Sequence, residues 1–293
     1  MPFHVTDAHL TGLPAASATP AVPAPDGAGL QAVLFDMDGL LINSEPLWFQ
    51  VETEVMARLG GTWTEADQKE LLGSSLDNSV RYFLERAAGP ADPAQVRDWV
   101  IGGIVDRVRE QGVTVMPGAA ALVAEVAASG LRYALVTSSQ HGFVDAVLAR
   151  TGLRFPVLVC GNDVRRGKPD PEPYLLAARR LGVDPARCLV LEDSVTGVTA
   201  AEAAGCFVVA VPTLRAVEPR PGRLVVPSLR DVSLSWLRAA WDRWGRPAGL
   251  GGLSGPAAVP RWDQGTTPAS ASAVEVGRCR HTTRSPGSRS APG

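Results

Sequence analysis

Two aspartates spaced i, i+2 and followed by a glycine, Asp36-Met37-Asp38-Gly39, are the residues most able to do chemistry in this chain. They follow directly on Ala32-Val33-Leu34-Phe35, an apolar run that reads as a strand buried on both faces of a parallel sheet. Carboxylates placed there are costly unless something offsets their charge, and a divalent metal ion would do so. Ligands of open parallel sheets gather at the carboxyl ends of the strands, where this pair falls. An EF-hand loop is excluded, because its glycine belongs at loop position six and this one falls at four. The plain alternative is a solvated Asp-Gly turn.

Three more segments carry groups that fit beside such a pair. A predicted strand at 133–136 runs into Thr137-Ser138-Ser139, and another at 188–191 runs into Glu192-Asp193-Ser194. Between them lies Arg166-Gly167-Lys168-Pro169-Asp170-Pro171. Of the 28 Lys and Arg residues only Lys69 and Lys168 are lysines, so arginine fills the generic surface positions and Lys168 stands out. Each segment alone has an ordinary reading as a helix cap or a turn. Together they put acids, hydroxyls and a base at one edge of one sheet, the set that phosphoryl transfer uses. One carboxylate can attack phosphorus to form an acyl phosphate. A second can protonate the leaving alcohol and then deprotonate water. Mg2+ bridges the mutually repelling anions, while a hydroxyl and an ammonium group hold the phosphoryl oxygens.

The elements that must position these groups alternate. Strands are predicted at 133–136, 157–160, 188–191 and 207–211, with a short edge strand at 225–226 and helices at 143–151, 173–181 and 196–204. That alternation implies a mostly parallel sheet covered by helices on both faces. Between the first strand and about residue 115 no strand is predicted. A helix opens at Pro46 with Leu47, Val51, Val55 and Leu59 on one face, and others follow at 64–72, 77–88 and 93–111, two of them capped by Thr64 and Asp92. This block is too long for a simple crossover. The fold class is therefore α/β: a Rossmann-like three-layer core (31–45 and 116–244) with an inserted all-helical cap (46–115), hinged near Ser44 and at Met116-Pro117-Gly118. A helix at 117–129 returns the chain to the core, and a last amphipathic helix spans Leu229 to Trp244, its tryptophans read as packing. Residues 1–30 read as a disordered leader and 245–293 as a disordered tail with six arginines against Asp263 and Glu275.

Composition narrows the partners. A net charge of −2 argues against nucleic acid as an obligatory partner, and 45% hydrophobic with 20% charged residues is ordinary for a soluble globular chain. No apolar run is long enough for a membrane span, and no Lys or Arg precedes Arg58 to form a secretory n-region. Four scattered cysteines form no zinc-like pair and suit a reducing cytoplasm. The expected partner is a small phosphorylated metabolite, for a chain that is a monomer or a weak dimer.

The four segments resemble those of the haloacid dehalogenase-like superfamily, in the same order, across residues 31–212. FDMDGLLINSEPLW and LEDSVTGVTAAEAAG look most like the branch holding β-phosphoglucomutase and the sugar-phosphate and phosphoglycolate phosphatases. The resemblance implies Asp36 as nucleophile and Asp38 as general acid/base. It implies Mg2+ held by Asp36, the Asp38 carbonyl and Asp193 with Glu192 nearby, and phosphoryl binding by Thr137, Ser138 and Lys168. The cap loop at Gly73 and Ser74 would reach the substrate. Asp38 and the Glu192-Asp193 pair favour phosphate chemistry over the dehalogenases of the superfamily, which typically lack them. Where β-phosphoglucomutase has a cap His and a cap-loop Arg, this chain has Trp48 and Leu76, which favours a phosphatase over a sugar phosphomutase. Asn43 stands where relatives often have Asp, and Gln140-His141 where they often have Lys-Asn or Arg-Asn; His141 reads as a helix-start or rim residue. A non-catalytic phosphate-sensing module on the same fold is the alternative outside enzymes.

Overall fold

Four consecutive buried apolar residues make β1 (Ala32–Phe35), and its neighbours are built the same way. The computed structural model describes residues 29–71, 74–213 and 215–245, all within one compact unit. The expected leader, but for its last two residues, and the expected tail after Gly245 lie outside the described residues, as does Gly73. β1 pairs in parallel with β4 (Arg132–Val136) on one side and β6 (Cys188–Glu192) on the other. β5 (Leu158–Val159) extends the β4 side. β7 (Phe207–Ala210) and β8 (Arg223–Val225) extend the β6 side, all parallel. The order β5-β4-β1-β6-β7-β8 reverses direction between β1 and β6. A crevice opens at such a reversal, outside the carboxyl ends of the strands.

Helices cover both faces. α7 (Glu172–Leu181) and α8 (Val195–Ala203) bring Tyr174, Ala177, Ala178, Val198 and Ala201 onto Leu34, Val136, Val190 and Val208. On the return from the insertion, α5 (Ala119–Ala128) packs on β4 and on α9 (Leu234–Ala240), while α6 (His141–Thr151) follows β4. Cys160, Cys188 and Cys206 are buried free thiols. The last segment is not one helix. Ser228 and Ser233 each cap a new short turn, and a wider turn over Trp241–Gly245 ends it, with Trp241 buried against Phe207.

The insertion is helical: α1 (Glu45–Arg58), α2 (Glu65–Leu71), α3 (Leu76–Arg86) and α4 (Pro93–Gln111). Its own small core joins Val51, Val55 and Met56 to Val80, Phe83, Val96, Val100 and Ile104. Where the chain leaves and re-enters the core it forms a two-residue antiparallel ladder, β2 (Ile42–Asn43) with β3 (Thr114–Val115). Met116 N–H continues it by donating to the Leu41 carbonyl at 2.8 Å. This ladder lies at both expected hinges, and two-residue strands carry no periodicity by which a sequence could reveal them.

Candidate active site

The strand reversal brings the predicted groups together. Asp36 N–H donates to the Leu191 carbonyl, so the residues after β1 and at the end of β6 lie side by side. Lys168 arrives from the loop before α7 and donates to Asp36 Oδ1 at 2.5 Å, to Glu192 Oε1 at 2.6 Å and to the Val136 carbonyl at 3.0 Å. Glu192 Oε1 also accepts from Tyr174 Oη at 2.7 Å, and its Oε2 accepts from the Asp193 and Ser194 N–H groups and from Ser194 Oγ. Asp38 accepts from Ser44 Oγ at 2.5 Å, Ser139 Oγ at 2.8 Å and Thr137 Oγ1 at 3.4 Å. Asp193 Oδ2 accepts from Thr213 Oγ1 at 2.8 Å.

Two glycines make this closeness possible. A Cβ on Gly39, whose φ is +86°, would come within 2.0 Å of Asp193 Oδ2. One on Gly197, in the first turn of α8, would come within 1.7 Å of Glu192 Oε1.

The charges do not balance. Burial pushes Asp36 well up from the usual carboxylate range, with Lys168 opposing and Glu192 and Asp193 reinforcing the rise. Burial raises Asp38 too, against the hydroxyls of Ser44, Ser139 and Thr137. Burial and the neighbouring Glu192 push Asp193 up to about 7. Lys168 is raised despite its burial, because Asp36 and Glu192 hold its proton. Four acids thus face one ammonium group, and three of them, Asp36, Glu192 and Asp193, each offer a carboxylate oxygen within 4.8 Å of the others.

Above these groups lies a cavity of about 230 Å3. Asp36, Asp38, Thr137, Ser138, Lys168 and Asp193 line its floor, and α1 and α4 wall it from above with Trp48, Glu52, Val100, Ile101 and Ile104. Ser74 reaches it from the start of the α3 turn. Glu192 is fully buried beneath the floor.

The sequence profile of the haloacid dehalogenase-like hydrolases matches residues 33–211. The chain belongs to this family. Among its relatives, hexitol phosphatase B of Escherichia coli (strain K12) is 36% identical over 213 residues, covering 71% of this chain and 94% of that one. The phosphorylated carbohydrates phosphatase of Thermotoga maritima is 33% identical over 185 residues, covering 60% and 82%. CbbY of Rhodobacter sphaeroides, solved with phosphate, superposes with a TM-score of 0.64 at 29% identity, covering 71% and 99%. This haloacid dehalogenase-like chain is thus a hydrolase whose named relatives include phosphatases.

Only oxygen donors converge at the excess of negative charge, which suits a hard divalent cation. Sequence reasoning missed Tyr174 and Thr213 as partners of these donors; it named Ser139 only within the hydroxyl segment and Ser44 only as a hinge, not as groups that hold Asp38. It also passed over Glu52, which lies between Val51 and Val55 on α1 and is buried at the wall of the cavity. His141 begins α6 beside the site, and its ring bridges Asp163 and Cys160.

Proposed function

We propose that this chain is a Mg2+-dependent phosphatase that hydrolyses a small sugar or polyol phosphomonoester through an aspartyl-phosphate on Asp36. The observation that carries the reading is the pair at the floor: Asp36 gripped by Lys168 at 2.5 Å, with Asp38 two residues on and held by three hydroxyls. The named phosphatase relatives support it. Asp36 and Asp193, with the Asp38 carbonyl, would hold the metal, which would offset the repulsion between carboxylate and phosphate. Glu192, its oxygens already given to Lys168, Tyr174 and the Ser194 turn, acts as the anchor for Lys168 beside them.

In the first step a carboxylate oxygen of Asp36 bonds to phosphorus as the bond to the ester oxygen breaks, and Asp38 gives its proton to the leaving alkoxide. Burial keeps Asp38 readier to hold that proton than an exposed aspartate. Asp38 then takes a proton from water as the water oxygen attacks the acyl phosphate, releasing phosphate and restoring Asp36. Thr137, Ser138 and Lys168 position the phosphoryl oxygens throughout. The cap excludes bulk water and selects the leaving group.

The test is turnover of p-nitrophenyl phosphate with Mg2+ by the wild type and by Asp36→Asn, with circular dichroism for the fold. The wild type should release phosphate, EDTA should stop it, and the folded variant should be silent. A folded wild type with no more activity than Asp36→Asn would instead favour the phosphate-sensing module.

A further inference from the structure

Asp38, which hands its proton to the leaving oxygen, is gripped from the cap side by Ser44 at 2.5 Å. Trp48 lies one helical turn further along, its N–H donating to the Ser44 carbonyl at 3.0 Å. Residues spaced i, i+4 share a helix face, so the indole follows directly on the side chain that holds the general acid. Trp48 is half-buried and lines the cavity.

A second aromatic braces it from the core. Phe143, in the first turn of α6 and also on the cavity wall, meets Trp48 with ring centroids 5.4 Å apart and planes at 63°. Phe143 is buried, and it follows the loop whose Thr137 and Ser139 hold Asp38 from the other side. An edge-to-face pair therefore stands beside the acid/base, one ring from the cap and one from the core. Val100, Ile101 and Ile104 of α4 continue the apolar wall from there.

We propose that Trp48, fixed by Phe143, is the specificity-determining residue for the leaving group, and that the C–H face of a sugar or polyol carbon chain lies against its indole. The proposal rests on the phosphatase reading and adds to it the residue that selects the alcohol. Sugar hydroxyls project mainly from the edges of the carbon frame, which leaves C–H faces that lose water favourably against an aromatic surface. A leaving group too short to reach the indole gains nothing from it.

The experiment measures kcat and KM with Mg2+ for glucose 6-phosphate and acetyl phosphate, whose leaving acetate is too short for that contact. The proteins are wild type, Trp48→Ala, Trp48→Leu and Trp48→Phe, each checked for fold by circular dichroism. Trp48→Ala should lose about thirtyfold in kcat/KM on glucose 6-phosphate, mainly through KM, and only about threefold on acetyl phosphate. Trp48→Leu, which fills the space without a ring, should lose about tenfold on the sugar phosphate. Trp48→Phe, which keeps an aromatic face, should stay within about threefold of wild type on both. If Trp48→Ala unfolds, the Leu and Phe variants make the same comparison. Equal losses on the two substrates, a Trp48→Leu enzyme as good as wild type on the sugar phosphate, or a folded Trp48→Phe enzyme no better than Trp48→Leu would each overturn the subsite. A wild type inert toward both substrates and toward p-nitrophenyl phosphate would instead bring down the phosphatase reading beneath it.

Discussion

The floor and the roof of the cavity treat buried acids in opposite ways. On the floor every carboxylate is held: Asp36 by Lys168, Asp38 by three hydroxyls, Asp193 by Thr213, and Glu192 by Lys168, Tyr174 and the Ser194 turn. On the roof Glu52 has no counter-charge: its buried carboxyl has only the Trp63 indole to ease it, among apolar neighbours. Fixed donors cost little reorganisation during a reaction, so the floor is built to act on phosphorus whatever the leaving group. The roof is mostly apolar, with Trp48, Val100, Ile101 and Ile104 facing the cavity, so contacts there would distinguish leaving groups by shape and not by charge.

The strongest way to break this contrast is to remove the cation that organises the floor. Lys168→Met should cut p-nitrophenyl phosphate turnover by about a thousandfold or more, the scale of losing a preorganised charge at the reacting group. It should also cost about 3–5 kcal/mol in a denaturant titration, because Asp36 and Glu192 lose their counter-charge in a buried site. Adding Glu192→Gln to Lys168→Met should recover part of the stability and none of the rate. A single variant that kept the wild-type rate would show that the floor does not depend on this ammonium group.

The roof makes the opposite prediction. The Glu52 pKa is raised by burial from 4.5 to about 8 in the folded chain. A raised carboxyl contributes stability that is fully present below the unfolded pKa and is lost as pH rises toward the folded one. Glu52→Gln should therefore gain on the wild type between pH 4.5 and 8, by on the order of 2–4 kcal/mol at the upper end. Denaturant midpoints across that range measure it, and a difference that stayed flat with pH would mean that Glu52 is not held as a buried acid.

A steric test probes the floor without touching a charge. Gly197→Ala puts a methyl group where Glu192 Oε1 stands, within 1.7 Å, and should cost about 1–3 kcal/mol. Gly102→Ala, on the cap helix α4 with no atom within 4 Å of the new Cβ, should instead stabilise by about 0.5–1 kcal/mol. Thermal unfolding of the two variants compares them directly.

What the sequence reveals of this molecule follows from how local each signal is. α4 spans 93–111 as predicted, because Asp92 caps it, Pro93 opens it and Gly112 closes it, all within the segment itself. β1 and β6 are legible because each is a short buried run that ends in acids, and acids at that place need a counter-charge. The β2–β3 ladder is too short to show a period. The breaks before Leu229 and Leu234 depend on the serine caps Ser228 and Ser233 inside an otherwise helical apolar pattern. The floor acids are legible by type and spacing, but their partners are long-range: Ser139 lies 101 residues from Asp38, and Tyr174 lies 18 from Glu192. Glu52 is the extreme case, since whether a helix carboxyl faces water or a cavity is decided only when α1 is laid over the core.

The smallest effect should come from the support beneath the floor. The loop carrying Ser138 and Ser139 is tied to the turn after β5, where Gly161 N–H donates to the Ser139 carbonyl at 2.8 Å. Asp163 in that turn accepts from the His141 ring at 3.0 Å, from Cys160 N–H at 3.0 Å and from Arg180 at 3.1 Å. Burial alone would raise its pKa, but these partners outweigh burial and bring it down to about 2. A lowered carboxyl stabilises the fold above its unfolded pKa of 3.8, and that contribution is lost as pH falls toward 2. Asp163→Asn should therefore be less stable than wild type by about 1–2 kcal/mol at pH 7, with the gap closing as pH falls from 4 to 2. Asp163 touches no atom of the floor acids, so kcat should change by no more than a few fold. A collapse in kcat with stability intact would move this turn from the support of the floor into the floor itself.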